Sequence, residues 1–297
     1  MAGLEFVPVT DRVSYVKAAT GIGVAVNGKR ALLIDTGLDE NLVRKVLNHL
    51  RDRGVTVEAI VNTHSHADHI GGNAFTVART GAEVHAPALE AAFIETPALE
   101  PLSLYGASAP KALQTKFLQA PPSRVTHPVT EAGEREIAGM TVRFDPIPGH
   151  SLHQLAVAVD GVCFLGDALL PEAIVEKYGV VFAVDPALQR ESALRIAGLG
   201  HAHHVTYHGG LVEDLKGMVE ANVRAIDDTN ARLLAALDSP AGAEDLFQRL
   251  ALELGWSMGP EQYHLNFATI KAYLAALERE GCLQCRVERA RLLWHRV

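Results

Sequence analysis

Residues 62–73 read Asn-Thr-His-Ser-His-Ala-Asp-His-Ile-Gly-Gly-Asn, so His64, His66, Asp68 and His69 fall within six positions, directly after the apolar run Ala59–Val61. Imidazoles and a carboxylate suit first-row divalent metals, and a spacing of i, i+2, i+4, i+5 serves two ions better than one. In an extended segment, side chains two apart point the same way. His64 and His66 can therefore share one ion while the turning chain aims Asp68 and His69 elsewhere. Such a cluster would be costly to bury unpaired. The remaining ligands must come from distant chain, and three candidates each follow an apolar run: His150 in Pro-Gly-His-Ser, Asp167 in Phe-Leu-Gly-Asp-Ala, and His208 in Thr-Tyr-His-Gly-Gly.

In kind and order these residues resemble the metallo-β-lactamase fold superfamily, whose hydrolases carry a His-x-His-x-Asp-His segment followed by isolated His, Asp and His. The resemblance covers roughly the first three quarters of the chain and is far more specific than any one motif. It implies an α+β fold, a four-layer αββα sandwich with its metals at one edge of two sheets. Carried over residue by residue, it implies one ion on His64, His66 and His150, and a second on Asp68, His69 and His208, with Asp167 bridging. Two divalent ions are implied, zinc first, with iron or manganese as alternatives.

Such a pair, about 3.5–4 Å apart, can share a water, lower its pKa and present a metal-bridging hydroxide. Asp68 is then the catalytic acid–base residue, orienting that nucleophile or returning a proton to the leaving group. The implied function is a dinuclear metal-dependent hydrolase of a small ester, thioester or lactone. The alternative is a phosphodiesterase or endoribonuclease whose C-terminal module binds nucleic acid; a noncatalytic metal-binding role is disfavoured because no ligand is lost. Departures narrow the choice. Zinc β-lactamases generally lack an equivalent of Asp167, glyoxalase II enzymes carry Gly-Cys-Gly-Arg where Pro171-Glu172-Ala173-Ile174 stands, and lactonases usually carry Tyr where Leu170 stands.

The elements that must position these residues follow from hydrophobic periodicity. Strands are expected at Phe6–Val9, Val13–Lys17, Val24–Val26 and Ala31–Ile34, then an amphipathic helix over Glu40–Arg53 ended by Gly54. A helix over Ile70–Arg79 and a strand at Glu83–His85 follow the metal segment, and Arg124–Val159 is a second strand-rich stretch. Between them, residues 86–123 are proline-rich and read as an irregular insertion, a lid or dimer contact, with Phe93, Tyr105 and Phe117 interspersed. Pro171–Asp185 reads as a second irregular stretch leaving the metal site. Tyr105, Lys177, Tyr178 and His153 are the candidate substrate contacts. Helices are expected over Pro186–Leu199 and Leu211–Leu237.

After Asp238-Ser239-Pro240 the character changes, dividing the chain into a catalytic domain, 1–238, and a C-terminal module, 239–297. A helix over Ala243–Leu254, a turn at Gly255–Pro260, a helix over Phe267–Glu280 and a terminal hairpin resemble a winged helix. Its arginines, Arg279, Arg286, Arg289, Arg291 and Arg296, interleave with Glu278, Glu280 and Glu288, a mixture that usually marks a solvated surface.

A net charge of −8 argues against nonspecific nucleic-acid binding by the whole molecule and favours a small-molecule substrate. Three cysteines, Cys163, Cys282 and Cys285, imply no disulfide framework and a reducing compartment. Met1–Val16 lacks the basic and apolar regions of a secretory leader, and no apolar run reaches membrane-span length, so the expectation is a cytoplasmic protein without a membrane partner, and a homodimer. His49, His85, His127, His201, His203, His204, His264 and His295 lack ligand spacing and read as ordinary core or surface residues.

Overall fold

Strand parity sorts the core. In the computed structural model, which describes residues 4–297, β4 (Arg30–Ile34) sends Leu32 and Ile34 to one face and Ala31 and Leu33 to the other, as the twofold period of a strand requires. Before it lie β1 (Phe6–Pro8), β2 (Val13–Val16) and β3 (Ile22–Asn27). The helix α1 (Glu40–Arg51) follows, started by the Asp39 carboxylate accepting from the Asn41 N–H, a cap that stabilises a helix by about 1 kcal/mol. Its buried face, Val43, Val46 and Leu50, covers Ala31, Leu33 and Ile60. Each such side chain contributes about 1.5–3 kcal/mol on burial.

Next come β5 (Thr56–Val61), α2 (Ala67–Ile70), α3 (Asn73–Thr80), β6 (Glu83–Pro87), α4 (Ala91–Glu95), α5 (Leu99–Tyr105) and β7 (His127–Val129). The one helix expected over Ile70–Arg79 is thus two, parted at Gly71 and Gly72. The chain passes so close to the preceding loop there that a Cβ on Gly71 would lie 1.9 Å from the Leu38 carbonyl oxygen. Residues 86–123 are irregular only in part. They hold α4, α5 and two short 3-10 turns, with Ile94, Leu104 and Leu113 buried. The many prolines punctuate these elements rather than exclude them.

β1 to β7 form one sheet in chain order. A second sheet holds β8 (Gly133–Ile137), β9 (Met140–Pro146), β10 (Leu155–Val159), β11 (Val162–Phe164), β12 (His203–Thr206) and β13 (Gly210–Leu211), ordered β13-β12-β11-β10-β9-β8. The strand-rich stretch Arg124–Val159 is therefore shared between sheets, since β7 completes the first. The faces of the two sheets meet across Leu32, Ile34 and Val61 on one side and Phe144, Val157 and Phe164 on the other. The second sheet's outer face is covered by α7 (Pro186–Ile196) and α8 (Leu215–Ala235), through Ala193, Ile196 and Val219 against Ala156, Ala158 and Cys163. Helix, sheet, sheet, helix make a four-layer αββα sandwich.

Between β11 and α7 runs α6 (Glu172–Tyr178), so Pro171–Asp185 is partly helical. The helix expected from Leu211 begins at Leu215. Residues 210–211 pair with β12, and Asp214 caps the helix by accepting from the Gly217 N–H.

Beyond α8 come α9 (Ala243–Glu253), α10 (Pro260–Arg279) and a hairpin of β14 (Leu283–Glu288) and β15 (Arg291–Arg296). Helix α10 starts two turns before the expected Phe267, because Gly259 and Pro260 supply a helix start, proline at the first position needing no N–H partner. Leu246, Phe247, Tyr273, Leu274 and Trp294 form a core with Ile226 and Leu233 of α8. Among the described residues no helix is long and apolar enough to cross a membrane.

Candidate metal centre

The seven residues singled out by type and spacing gather at one edge of the sandwich, beyond strand C-termini. This follows from strand direction: β4, β5 and β6 are parallel, β11 and β12 are parallel, and β9 is antiparallel to the intervening β10. The loops after β5, β9, β11 and β12 carry His64–His69, His150, Asp167 and His208 to the same place.

Two groups form there. His64 Nε2 and His150 Nε2 lie 3.1 Å and 3.0 Å from His66 Nδ1. In the second group, Asp167 Oδ2 lies 3.1 Å from His208 Nε2 and 3.3 Å from His69 Nε2, while Asp68 Oδ2 lies 3.8 Å and 3.9 Å from the same nitrogens. Asp167 Oδ2 is also 3.7 Å from His150 Nε2, so one carboxylate stands between the groups.

The nitrogens facing inward are set by partners facing outward. Asp35, fully buried in the left-handed region at φ +56°, accepts from the Thr63 N–H (2.8 Å), the Thr63 hydroxyl (2.7 Å) and His69 Nδ1 (2.8 Å). With that hydroxyl hydrogen committed, Thr63 Oγ1 accepts from His64 Nδ1 at 3.0 Å. His208 Nδ1 donates to the Ala19 carbonyl at 2.9 Å. These partners place a proton on Nδ1 of all three rings and turn each Nε2 inward as the atom able to ligate a metal.

Glu90 plays the matching part for the loops. Buried to 1% exposure, its carboxylate accepts from the Ser65 N–H (2.7 Å), the Ser151 hydroxyl (2.6 Å) and the His153 N–H (2.6 Å), fastening the segment of His64 and His66 to that of His150. Gly149 lets the second segment turn: its φ is +129°, and a Cβ there would lie 2.1 Å from the Gln189 nitrogen.

Electrostatics divides the groups. Burial, and then the surrounding imidazoles, hold His64 well below the ordinary range, and burial with His66 pushes His150 down to about 3. Burial also opposes charge on His69, but Asp167, Asp68 and Asp35 raise it well above the ordinary range. Asp167 lifts His208 to about 9 against the cost of burial. The same two histidines hold the Asp167 carboxyl well below the usual carboxylate range, although burial works against its charge.

The donor set fits divalent cations. Ring nitrogens of His64, His66 and His150 converge within metal-ligand reach of one another, and the buried Asp167 Oδ1 has no hydrogen-bond partner. His64, His66 and His150 form one candidate ligand group; Asp68, His69, Asp167 and His208 form another.

A cavity of about 700 Å³ opens from His150, Asp167 and His208. Lys177 and Tyr178, expected as substrate contacts, line it. So do Phe182, which packs edge-on against His66 and His150, and Trp256, Met258, Gln262 and Asn266 of the C-terminal segment. Trp256 Nε1 donates to the Tyr178 carbonyl at 2.9 Å, tying that segment to α6. Tyr105 instead packs edge-on against His264, with ring centroids 5.3 Å apart, and His153 is engaged through its backbone by Glu90.

Asp35 and Glu90 escaped the sequence reading. Asp35, in Asp-Thr-Gly at a strand end, offered a faint signal, whereas nothing local marks Glu90. Phe182 and the C-terminal contributors reach the cavity only through tertiary packing.

A model of the metallo-beta-lactamase superfamily matches residues 22–211. The hydroxyacylglutathione hydrolase of Dechloromonas aromatica (strain RCB) is 31% identical over 179 residues, covering 60% of this chain and 53% of that protein. The lactamase-like protein vrtG of Penicillium aethiopicum is 27% identical, covering 71% and 58%. This chain thus spans little more than half the length of these relatives. Two solved structures share the fold over 99% of this chain: a beta-lactamase domain protein from Burkholderia ambifaria (TM-score 0.73, 18% identity, 94% of that chain) and a metallo-beta-lactamase family protein from Thermus thermophilus (TM-score 0.69, 23% identity, 98% of that chain). With the ligand-bearing loops and the layered fold in agreement, the chain belongs to the metallo-beta-lactamase superfamily.

Proposed function

We propose that this protein is a metal-dependent hydrolase of a small ester, thioester or lactone, working with two divalent ions, zinc first. The observation that carries the reading is Asp167 Oδ2, 3.1–3.7 Å from nitrogens of both candidate ligand groups. In this reading His64, His66 and His150 hold one ion, Asp68, His69 and His208 the other, and Asp167 both. Bound there, two such ions would lower the pKa of a shared water and polarise the electrophilic carbonyl.

The chain's own residues supply the rest. Asp68 is partly exposed, and its Oδ2 accepts the Thr20 hydroxyl at 2.9 Å, which steadies the carboxylate toward the open side. It takes the proton of the attacking water and returns it to the leaving atom. Phe182, Trp256 and Met258 shield the acyl group from solvent, while Gln262 and Asn266 offer amide hydrogen bonds. Among the described residues Lys177 is the sole lysine or arginine lining the cavity, which suits a neutral or singly anionic substrate better than a polyphosphate backbone. The hydroxyacylglutathione hydrolases among the relatives, thioesterases by name, support the thioester arm. Three free cysteines support a reducing, cytoplasmic setting.

The test is metal analysis of the purified protein, followed by hydrolysis of thioesters, lactones, aryl esters, phosphodiesters and RNA. Two ions per chain and turnover of a carboxylic substrate are expected. A single ion, or turnover confined to RNA with steep salt dependence, would replace this reading.

A further inference from the structure

Glu83, His85 and His127 form another group whose ligand atoms all lie within 4.8 Å of one another. His85 and His127 sit directly opposite in the parallel pairing of β6 and β7, with rings stacked at 4.5 Å. Glu83 Oε2 lies 3.8 Å from His85 Nε2 and 3.9 Å from His127 Nδ1. His85 is only 5% exposed, yet neither of its ring nitrogens has a hydrogen-bond partner. Buried polar atoms are almost always satisfied, so an orphaned imidazole on a strand calls for a ligand.

We propose that Glu83, His85 and His127 are a second, structural cation site, taking one zinc-like divalent ion that clasps the base of the 86–126 excursion. Two imidazoles and a carboxylate are a ligand set of borderline-soft divalent metals, with the fourth position left to water. Tetrahedral bonds of about 2.1 Å place ligand atoms about 3.4 Å apart, so, from 3.8 and 3.9 Å to Glu83 and at most 4.8 Å across the group, the ligand atoms must draw in by about 0.4 to 1.4 Å. Glu83 and His127 are exposed and can rotate inward, and the ion can enter from solvent. In that movement His127 gives up its 3.0 Å contact with the Thr126 hydroxyl. The nearby Arg135 opposes a cation electrostatically, but it is turned onto the Pro128 carbonyl at 3.3 Å, and Glu83 supplies the compensating charge.

Position gives the site its role. β6 leads into the segment of α4 and α5, and β7 receives the chain on its return. An ion joining their opposed histidines closes this long loop, where a cross-link restricts the unfolded chain most. The same segment carries Glu90, so the clasp would steady the carboxylate that fastens the catalytic loops.

Equilibrium dialysis of the full chain against Zn(II), compared with Glu83→Gln and His127→Ala, tests this independently of the hydrolase reading, because neither residue belongs to the catalytic centre. The expected result is one zinc equivalent fewer in each variant than in the unaltered protein. Zinc-dependent protection of residues 88–126 from proteolysis should vanish in both. Equal zinc stoichiometry in all three proteins would overturn the proposal, as would protection that survives either substitution. Should His127→Ala fold poorly, Glu83→Gln decides alone, since it changes only an exposed carboxylate.

Discussion

The two halves of the candidate metal centre are built from the same imidazoles but oppose each other electrically. The trio of His64, His66 and His150 contains no carboxylate of its own, and burial keeps His64 and His150 neutral. The other half adds Asp68 and Asp167 to His69 and His208, and there the histidines attract protons. A buried site without counter-charge must wait for a cation, whereas a site with two carboxylates can be neutralised by protons in its absence. Asp167 Oδ2 lies 3.1–3.7 Å from nitrogens of both halves, so one carboxylate stands between them.

Removing that residue should have the largest effect. Asp167→Ala is expected to lower kcat by about 10⁴-fold or more and to reduce bound metal as well. Asp68→Ala should lower kcat by about 10²–10⁴-fold while keeping more metal than Asp167→Ala, because it removes an acid–base group from the edge of one half. Full turnover by a metal-replete Asp68→Ala protein would remove Asp68 from its catalytic role.

The outer carboxylates sharpen the contrast. Asp35→Asn disturbs His69 directly and His64 through Thr63, so metal affinity should fall by about 10–100-fold in both halves. Glu90→Gln loosens contacts at Ser65, Ser151 and His153, which flank the trio, and sequential metal titration should show weakening greatest in the first half. Equal weakening of both halves would contradict that division of labour. For the cavity wall, Trp256→Ala should raise KM by about 10-fold with kcat largely kept, as loss of apolar contact costs about 1–3 kcal/mol. A fall in kcat with KM unchanged would argue that the C-terminal segment positions the chemistry instead.

The smallest effect concerns the metal-free protein and has opposite signs in the two halves. His208, raised to about 9, contributes stability that is complete below the ordinary imidazole pKa of about 6.5 and is lost as pH rises through 9. His150, depressed to about 3, works the other way: below about pH 6.5 the unfolded chain takes up the proton first, so stability is lost as pH falls toward 3. Melting temperature against pH should therefore peak near neutrality. His208→Ala should flatten the alkaline limb and His150→Ala the acid limb; unaltered limbs would count against this electrostatic division.

Much of the fold was legible because periodicity is local. Alternation along β3 and β4 and the apolar face of α1 state which faces are buried without reference to anything distant. The errors lie where a neighbour decides: Gly71 and Gly72 break a helix because Leu38 passes close by, and residues 86–123 fold into helices over a core that their prolines obscure. His85 and His127 read as ordinary residues for the same reason. Their pairing exists only across two strands, with residues 86–126 between them.

The chain itself supplied the candidate ligands, since imidazoles and carboxylates at the spacing of His64 to His69 suit divalent metals, and it showed which apolar runs precede His150, Asp167 and His208. Only the tertiary structure decided that Asp167 stands between two groups, that Asp35 and Glu90 orient and fasten them, and that Trp256 closes the cavity. Ligand chemistry is a property of side chains and can be read one residue at a time. Distances between loops depend on strand direction, twist and packing summed over the whole sandwich, and no short stretch of sequence contains that sum.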